Sequence, residues 1–510
     1  MAEPELPRRW VKLLDQSRCI GCHACTTACK SENEVPVGVT RTFVKSVDVG
    51  TFPNARRSFQ VTRCNQCEDA PCVAACPTGA MYRREDGIVD FDKSICIGCK
   101  ACMAACPYDA IFINPQDHSA EKCNMCAHRL DLGLEPACVT VCPTQAILVG
   151  DLNDPAGPAA LAIERGPVQV RRPEKRTRPR VFYAGAHQAT LDPLAARRPD
   201  GGLLAWATVG DDAAAARQPG AGSPGSSSAA ALLSYDVPHQ APWGWRVSMY
   251  TWTKSIAAGS FAAPVLLAML GFLRWSDAVV RLAGPAVALA FLGVTGLLLV
   301  WDLKHPGRFY LILTRHQWRS WLVRGTVALL GFGAAAAGYL LAGLAGLGTG
   351  ALALALAWAG LALAAAAAVY TAFQFAQARA RDLWQSPLLA PHLAVQALAA
   401  GAAVTVPLTR WLAPAGGIRA AEVLLAAAAA GHLLLVAAEV GTGHPTAHAH
   451  QAAANLTRGR QARFFWPAVV LAAAGIAAPW AGLPAAAAVL AGLLGYEHAY
   501  VQAGQSVPLA

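Results

Sequence analysis

Sixteen cysteines stand between Cys19 and Cys142, and none occurs in the 368 residues that follow. Their spacing sorts them into four quartets: Cys19-x2-Cys22-x2-Cys25-x3-Cys29, Cys64-x2-Cys67-x4-Cys72-x3-Cys76, Cys96-x2-Cys99-x2-Cys102-x3-Cys106 and Cys123-x2-Cys126-x11-Cys138-x3-Cys142. The run C-x2-C-x2-C-x3-C binds [4Fe–4S], its fourth cysteine reaching to the other cluster of a pair. A tight loop sets three thiolates on one face of a cubane, and the x3 step puts the fourth on a departing helix. Pro77, Pro107 and Pro143 follow the fourth cysteine in three quartets, and Lys30 takes that place in the first. A disulfide framework suits short secreted domains, but these spacings repeat as ligand runs. Zinc also takes four cysteines, commonly as two distant C-x2-C pairs. The first and third quartets each fit within eleven residues, and no cysteine is left over. The expectation is four [4Fe–4S] clusters.

The elements that carry such clusters, and whatever they serve, differ sharply along the chain. Of 510 residues 55% are hydrophobic and only 15% charged, against about a quarter charged in a soluble domain. Residues 1–246 are about 22% charged and nearly neutral, whereas 247–510 are about 8% charged, with 15 basic and 6 acidic residues. Most of the +10 net charge therefore sits on the apolar half. This is the pattern of a membrane protein with cationic loops, not the clustered basic face of a nucleic-acid reader.

Three pieces follow. Residues 1–155 form the cysteine-bearing domain, with short strands near 43–47 and 87–91 where apolar and polar residues alternate. Residues 156–246, rich in Ala, Pro, Gly and Arg, read as a linker. Within it the six basic residues of Arg171 to Arg180 read as a solvated run, and Gln218 to Ser228 as flexible chain. From 247 to 510, apolar runs of membrane-crossing length recur near 248–272, 282–302, 323–345, 351–376, 387–408, 420–440, 464–481 and 484–502. The fold class expected is an α+β ferredoxin-like four-cluster domain followed by an all-α transmembrane bundle of about eight helices.

The stretch from Cys19-Ile-Gly-Cys22 through Cys96-Ile-Gly-Cys99-Lys-Ala-Cys102 to Glu135-Pro-Ala-Cys138 resembles the four-cluster electron-transfer subunits of the dimethyl sulfoxide reductase superfamily of molybdenum or tungsten enzymes. That resemblance implies exchanged ligands: Cys19/Cys22/Cys25/Cys142, Cys123/Cys126/Cys138/Cys29, Cys64/Cys67/Cys72/Cys106 and Cys96/Cys99/Cys102/Cys76. Three further stretches, Asp302-Leu-Lys-His-Pro306-Gly-Arg308-Phe309, Tyr370-Thr-Ala and Ala503-Gly-Gln-Ser-Val-Pro508-Leu, resemble the NrfD/polysulfide-reductase membrane anchor. Anchors of that type exchange electrons with menaquinone or ubiquinone and as a rule lack haem. The resemblance implies that the protein is not itself the substrate-converting enzyme. It would link a separate molybdopterin-type catalytic subunit to the quinone pool in the lipid bilayer, with no nucleic acid involved. The alternatives are the electron-transfer arm of a membrane hydrogenase or nitrite-reducing complex, and a redox-linked ion pump. The pump is disfavoured because charges gather at span ends.

Ionisable groups in spans are functional candidates by default, which singles out Lys254, Asp302, His305, Arg308, Tyr370 and Glu439 as quinone-site residues. A bis-histidine haem would need His392 and His432 to face each other. A packing role for each is the more economical expectation, and no C-x-x-C-H motif occurs. No secretory or twin-arginine signal is read at the N-terminus, where Arg8-Arg9 has no apolar run behind it. The loops on the cluster-domain side carry ten cations against four opposite, which places the iron–sulfur domain on the cytoplasmic side of an inner membrane.

Overall fold

A computed structural model of the chain describes residues 8–198, 231–412 and 415–510. These fall into two compact units, the first ending at Pro242 and joined by Ala378–Ala380 and Pro508–Ala510, the second comprising Trp243–Gln377 and Arg381–Val507.

In the first unit, strand β1 (Trp10–Asp15) buries four consecutive residues, Val11 to Leu14. It can do so because it is an inner strand of a sheet: β8 (Ile147–Asp151) lies antiparallel on one side and β10 (Val181–Ala184) parallel on the other, with β9 (Val168–Gln169) outside β10. A long hairpin pairs β2 (Thr42–Val49) with β3 (Arg56–Arg63) in unbroken register from Thr42↔Arg63 to Val49↔Arg56. Two small hairpins complete the frame: β4 (Met81–Arg83) with β5 (Val89–Phe91), and β6 (Ile111–Ile113) with β7 (Ala120–Lys122). Each follows a cysteine-bearing helical turn, so the strands fix the loops that carry the thiols. Of the two strands read from alternation, 43–47 falls within β2, and 87–91 overlaps β5 only over Val89–Phe91, Gly87 standing in the turn before it.

The structure corrects the linker reading of 156–246 over its described part. Helix Pro158–Arg165, β9, β10 and helix Gln188–Leu191 are built into the first unit. A further strand, β11 (Ala231–Tyr235), runs antiparallel along β2. Strands of two to five residues are too short to show a period, and their stability comes from covering the open edges of β1 and β2. Residues 218–228 lie outside the described residues. The basic run is not a solvated segment. Arg171 and Arg172 are buried, Arg178 makes two bonds to Asp69 at 2.8 and 2.9 Å, and Arg180 reaches Glu68 at 3.1 Å. Glu68 and Asp69 occupy the two extra positions of the x4 loop between Cys67 and Cys72, so that insertion is the docking point for the run.

The second unit is helical. Six helices are long and apolar enough to cross a membrane: Val279–Asp302, Trp321–Leu344, Ala351–Gln377, Leu389–Leu412, Gly416–Gly441 and Ala462–Ala481. Two more flank them in sequence, Trp245–Met269 with 25 residues and Leu483–Gly504 with 22. They are long enough to span but carry Lys254 and Glu497 in their interiors. Counted together these are the eight expected runs. Leu389–Leu412 is the inner helix of the six, 67% buried against 22–33% for the others. It crosses Trp245–Met269 where Gly259 meets Gly401; a Cβ on Gly259 would lie 1.9 Å from the Ala397 carbonyl oxygen. Between the prolines 479 and 484 the last two runs part at Gly482, whose φ of +52° suits glycine.

Candidate metal centres and a polar site in the membrane domain

The cysteine loops are shaped by backbone in the left-handed region. Gly21 and Gly98, the residues that follow Ile in each Cys-Ile-Gly-Cys, have φ of +70° and +67°. A Cβ on Gly21 would lie 2.3 Å from the Phe59 ring. His23 and Lys100, the next left-handed residues, open the short helices Ala24–Glu32 and Ala101–Ala105. The third cysteine of each quartet then lies in the helix, and the fourth at or beyond its last turn, pointing to a different group of thiols.

Which thiols meet is visible directly. Cys76 joins Cys96, Cys99 and Cys102 in the lining of one small cavity. Cys106 joins Cys64, Cys67 and Cys72 in the lining of another. Cys142 and Cys22 are electrostatic neighbours of Cys19, and Cys29 faces Cys123, Cys138 and Cys126. Among the described residues no three His, Cys, Asp or Glu side chains close on the position of one metal ion. The thiols ring a space instead of meeting at a point, which suits a polynuclear cluster better than a tetrahedral zinc with Zn–S bonds of about 2.3 Å.

Backbone N–H groups point at sulfur: Met81 N to Cys76 Sγ at 3.4 Å, Ala120 N to Cys96 Sγ at 3.5 Å and Ala146 N to Cys142 Sγ at 3.2 Å. Burial pushes the Cys25 thiol up to about 11, and Cys29, Cys67 and Cys106 up to about 12. Cys138 differs. Burial again raises it, but Lys12 and Arg63 more than reverse the effect and bring it down to about 7. Thiols this buried need a compensating cationic centre to exist as thiolates, and four thiolates about an iron–sulfur core satisfy both.

In the helical unit two buried polar groups stand out. Lys254 donates to the Ala368 carbonyl at 2.6 Å and to Thr371 Oγ1 at 2.8 Å, and lies 5.0 Å from the centre of the Tyr370 ring. The opposite charge is supplied by Glu497, itself buried. Glu439 accepts from Tyr496 at 3.0 Å and from Tyr500 at 2.9 Å, and sits 3.3 Å from His392 Nδ1. His392 Nε2 and His432 Nδ1 are 2.9 Å apart.

Of the six residues read as quinone-site candidates, the structure brings Lys254 and Tyr370 together and places Glu439 in the histidine–tyrosine group. Asp302, His305 and Arg308 lie half-exposed at the end of Val279–Asp302 and in the turn Pro306–Arg308, unlike the other three, which are buried. His392 and His432 face each other and are hydrogen-bonded directly, so they form a pair and not two separate packing residues. Thr371, Tyr496, Glu497 and Tyr500 escaped the sequence reading. The signal was present: Tyr496, Glu497 and Tyr500 recur within one turn, and Glu439 follows His432 by two turns, on the same face.

Fold and thiol geometry together define an iron–sulfur electron-transfer protein joined to a multi-pass membrane domain. Family models agree: residues 10–31 match a 4Fe-4S binding domain, 56–152 a 4Fe-4S dicluster domain, and 235–482 the polysulphide reductase NrfD family. The sequence is 43% identical over 197 residues to a tetrathionate reductase subunit of Salmonella typhimurium, covering 37% of this chain and 77% of that protein. It is 41% identical over 180 residues to a polysulfide reductase polypeptide of Wolinella succinogenes, 35% of this chain and 94% of that one. With the thiosulfate reductase electron transfer subunit of Salmonella typhi the identity is 52% over 152 residues, 29% and 79% of the two chains. The protein belongs to this family of reductase iron–sulfur subunits, here fused to an NrfD-type membrane anchor.

Proposed function

We propose that this protein is the electron-transfer and anchor subunit of a quinone-linked oxidoreductase whose substrate is handled by a separate molybdenum or tungsten subunit. Four [4Fe–4S] clusters would be held by Cys19/Cys22/Cys25/Cys142, Cys29/Cys123/Cys126/Cys138, Cys64/Cys67/Cys72/Cys106 and Cys76/Cys96/Cys99/Cys102, and would supply one-electron transfer. The observation that carries the reading is the exchange of fourth cysteines between quartets, seen in the two thiol-lined cavities. The chain's own part is to bury the thiols, aim N–H groups at sulfur and keep water out. The relatives' names make sulfur oxyanions and polysulfide the first substrate classes to try with the partner.

In the membrane domain Lys254, Tyr370 and Glu439, with Asp302, His305 and Arg308, are proposed to serve menaquinone or ubiquinone. Lys254 and the tyrosine hydroxyls would donate to the ring oxygens, and Glu439 would accept a proton from a quinol. The iron–sulfur unit is proposed to face the cytoplasm, from the charge of the loops.

Anaerobically purified protein should hold about sixteen iron and sixteen sulfide per chain, the arithmetic of four cubanes. Lys254→Met and Glu439→Gln should slow cluster reduction by a menaquinol analogue at least about tenfold, with cluster signals under dithionite unchanged. Stoichiometric zinc with little iron would end the reading.

A second reading, proton transfer across the bilayer, is favoured by one observation. The expectation that charges gather at span ends does not hold for Lys254, about 13 Å inside its helix at 1.5 Å per residue. The contacts run Tyr500–Glu439–His392–His432 without a break. Proteoliposomes oxidising quinol should then release more protons than the quinol itself carries; release of no more than that overturns this second reading.

A further inference from the structure

Two cations are buried where, among the described residues, no carboxylate forms an ion pair with them. Lys12, on β1, and Arg63, at the end of β3, are each only 1% exposed. Lys12 Nζ lies 3.7 Å from Cys138 Sγ, and Arg63 Nη1 lies 3.2 Å from the same sulfur. Arg63 Nε and Nη2 are buried with no protein acceptor. Asn33 Nδ2 adds weaker approaches to Cys29 Sγ at 3.7 Å and Cys126 Sγ at 3.8 Å. A buried charge without a partner costs several kcal/mol, so the unspent donors of Arg63 point to an anion among the thiols Cys138, Cys123 and Cys25, its electrostatic neighbours. A cluster bound by four thiolates is such an anion, and each electron it accepts adds a negative charge.

The other thiol groups are not treated this way. Lys122 acts on Cys64 and Cys72, and Lys12 more weakly on Cys64, but the Lys122 ammonium is bonded to the Val89 and Cys123 carbonyls and that of Lys12 is turned to Cys138. Around Cys99 the cation that acts is Lys100, the weakest of the influences there, and it is half-exposed. Cys22 is exposed and Cys19 and Cys142 partly so, which lets water screen that group. Among the described residues, Cys138 of the set Cys29/Cys123/Cys126/Cys138 is the sulfur that two dry cations approach within 4 Å. In a low-dielectric interior such charges favour the more negative, reduced state.

We infer that Lys12 and Arg63 are positioning residues that hold the Cys29/Cys123/Cys126/Cys138 cluster at the highest reduction potential of the four, making it the place where an electron rests. This rests on the four-cluster reading above. Because Arg63 also faces Cys25, it couples this cluster electrostatically to the one held by Cys19/Cys22/Cys25/Cys142.

The test is an EPR-monitored redox titration of the full chain, purified anaerobically in detergent. Lys12→Met and Arg63→Met should lower the highest of the reduction steps by at least tenfold in its equilibrium constant, about 59 mV for one electron. Lys12→Arg, which keeps the charge, should leave that step near its wild-type position. Independently, Cys126→Ser should alter or abolish the highest step and leave the lowest in place. An unmoved highest step in methionine variants that retain all their iron overturns the inference, as does loss of any other step in Cys126→Ser. Wild-type protein with far fewer than about sixteen irons overturns instead the cluster reading on which it rests, so the two failures are distinct.

Discussion

At the scale of single residues, chemistry that resides in spacing is legible and chemistry that resides in approach is not. All sixteen cysteines proposed as ligands can be picked out because the coordination of a cubane imposes short, repeated intervals on the chain. Nothing in the local sequence marks Lys12 or Arg63. They lie on different strands, and their shared sulfur, on Cys138, is 126 residues from one and 75 from the other. His239 is a similar case. Its ring sits 2.6 Å from Asp109 and 3.1 Å from Asp236. Burial works against the charged ring, but the two carboxylates, Asp236 foremost, raise it to about 10. An unfolded histidine titrates near 6.5, so this ion-paired group contributes stability in full below about pH 6.5 and loses it as pH rises through about 10. His239→Gln should therefore destabilise the protein by about 1–3 kcal/mol at pH 6, less than the cost of breaking a fully buried pair because the ring is a quarter exposed. The difference from wild type should shrink steadily towards pH 10. Anaerobic thermal unfolding across that range checks it, and a constant difference would show that the histidine acts by packing alone.

At the scale of elements, helices in the membrane domain are legible because twenty or more apolar residues admit few other structures. The short strands of 156–242 are not, because two to five residues carry no readable period and depend on edges supplied by distant chain. β10 needs β1, and β11 needs β2. A domain cut at residue 155 therefore loses β9, β10 and β11 and exposes one edge each of β1 and β2, together with the acidic loop that Arg178 and Arg180 cover. A fragment of residues 1–242 should bind its full iron complement and stay soluble, whereas residues 1–155 should lose iron and aggregate through the uncovered edges. Iron analysis and size-exclusion profiles of the two fragments decide this. Equal behaviour would return 156–242 to the status of a linker.

At the scale of the whole molecule the open matter is sidedness, and the argument is one of charge. Helices that cross a bilayer in succession alternate in direction, so the loops after the second, fourth and sixth of eight share the side from which the first begins. Those loops and their borders hold Lys304, Arg308, Arg315, Arg319, Arg324, Arg379, Arg381, Arg458, Arg460 and Arg463; the opposite ones hold Arg274, Arg281, Arg410 and Arg419. Cations within short loops stay on the cytoplasmic face during insertion, so ten against four is the argument for the proposed cytoplasmic placement of the iron–sulfur unit. The count is sensitive to helix number only beyond the inserted or lost span, and Lys304 to Arg324, five of the ten, follow the second helix and survive an error in any later one. A protease site placed within residues 205–225 should resist protease added outside intact spheroplasts and be cut after lysis. Cleavage before lysis would put the iron–sulfur unit in the periplasm, and the basic loops would then require another cause, such as holding the acidic headgroups of the outer leaflet.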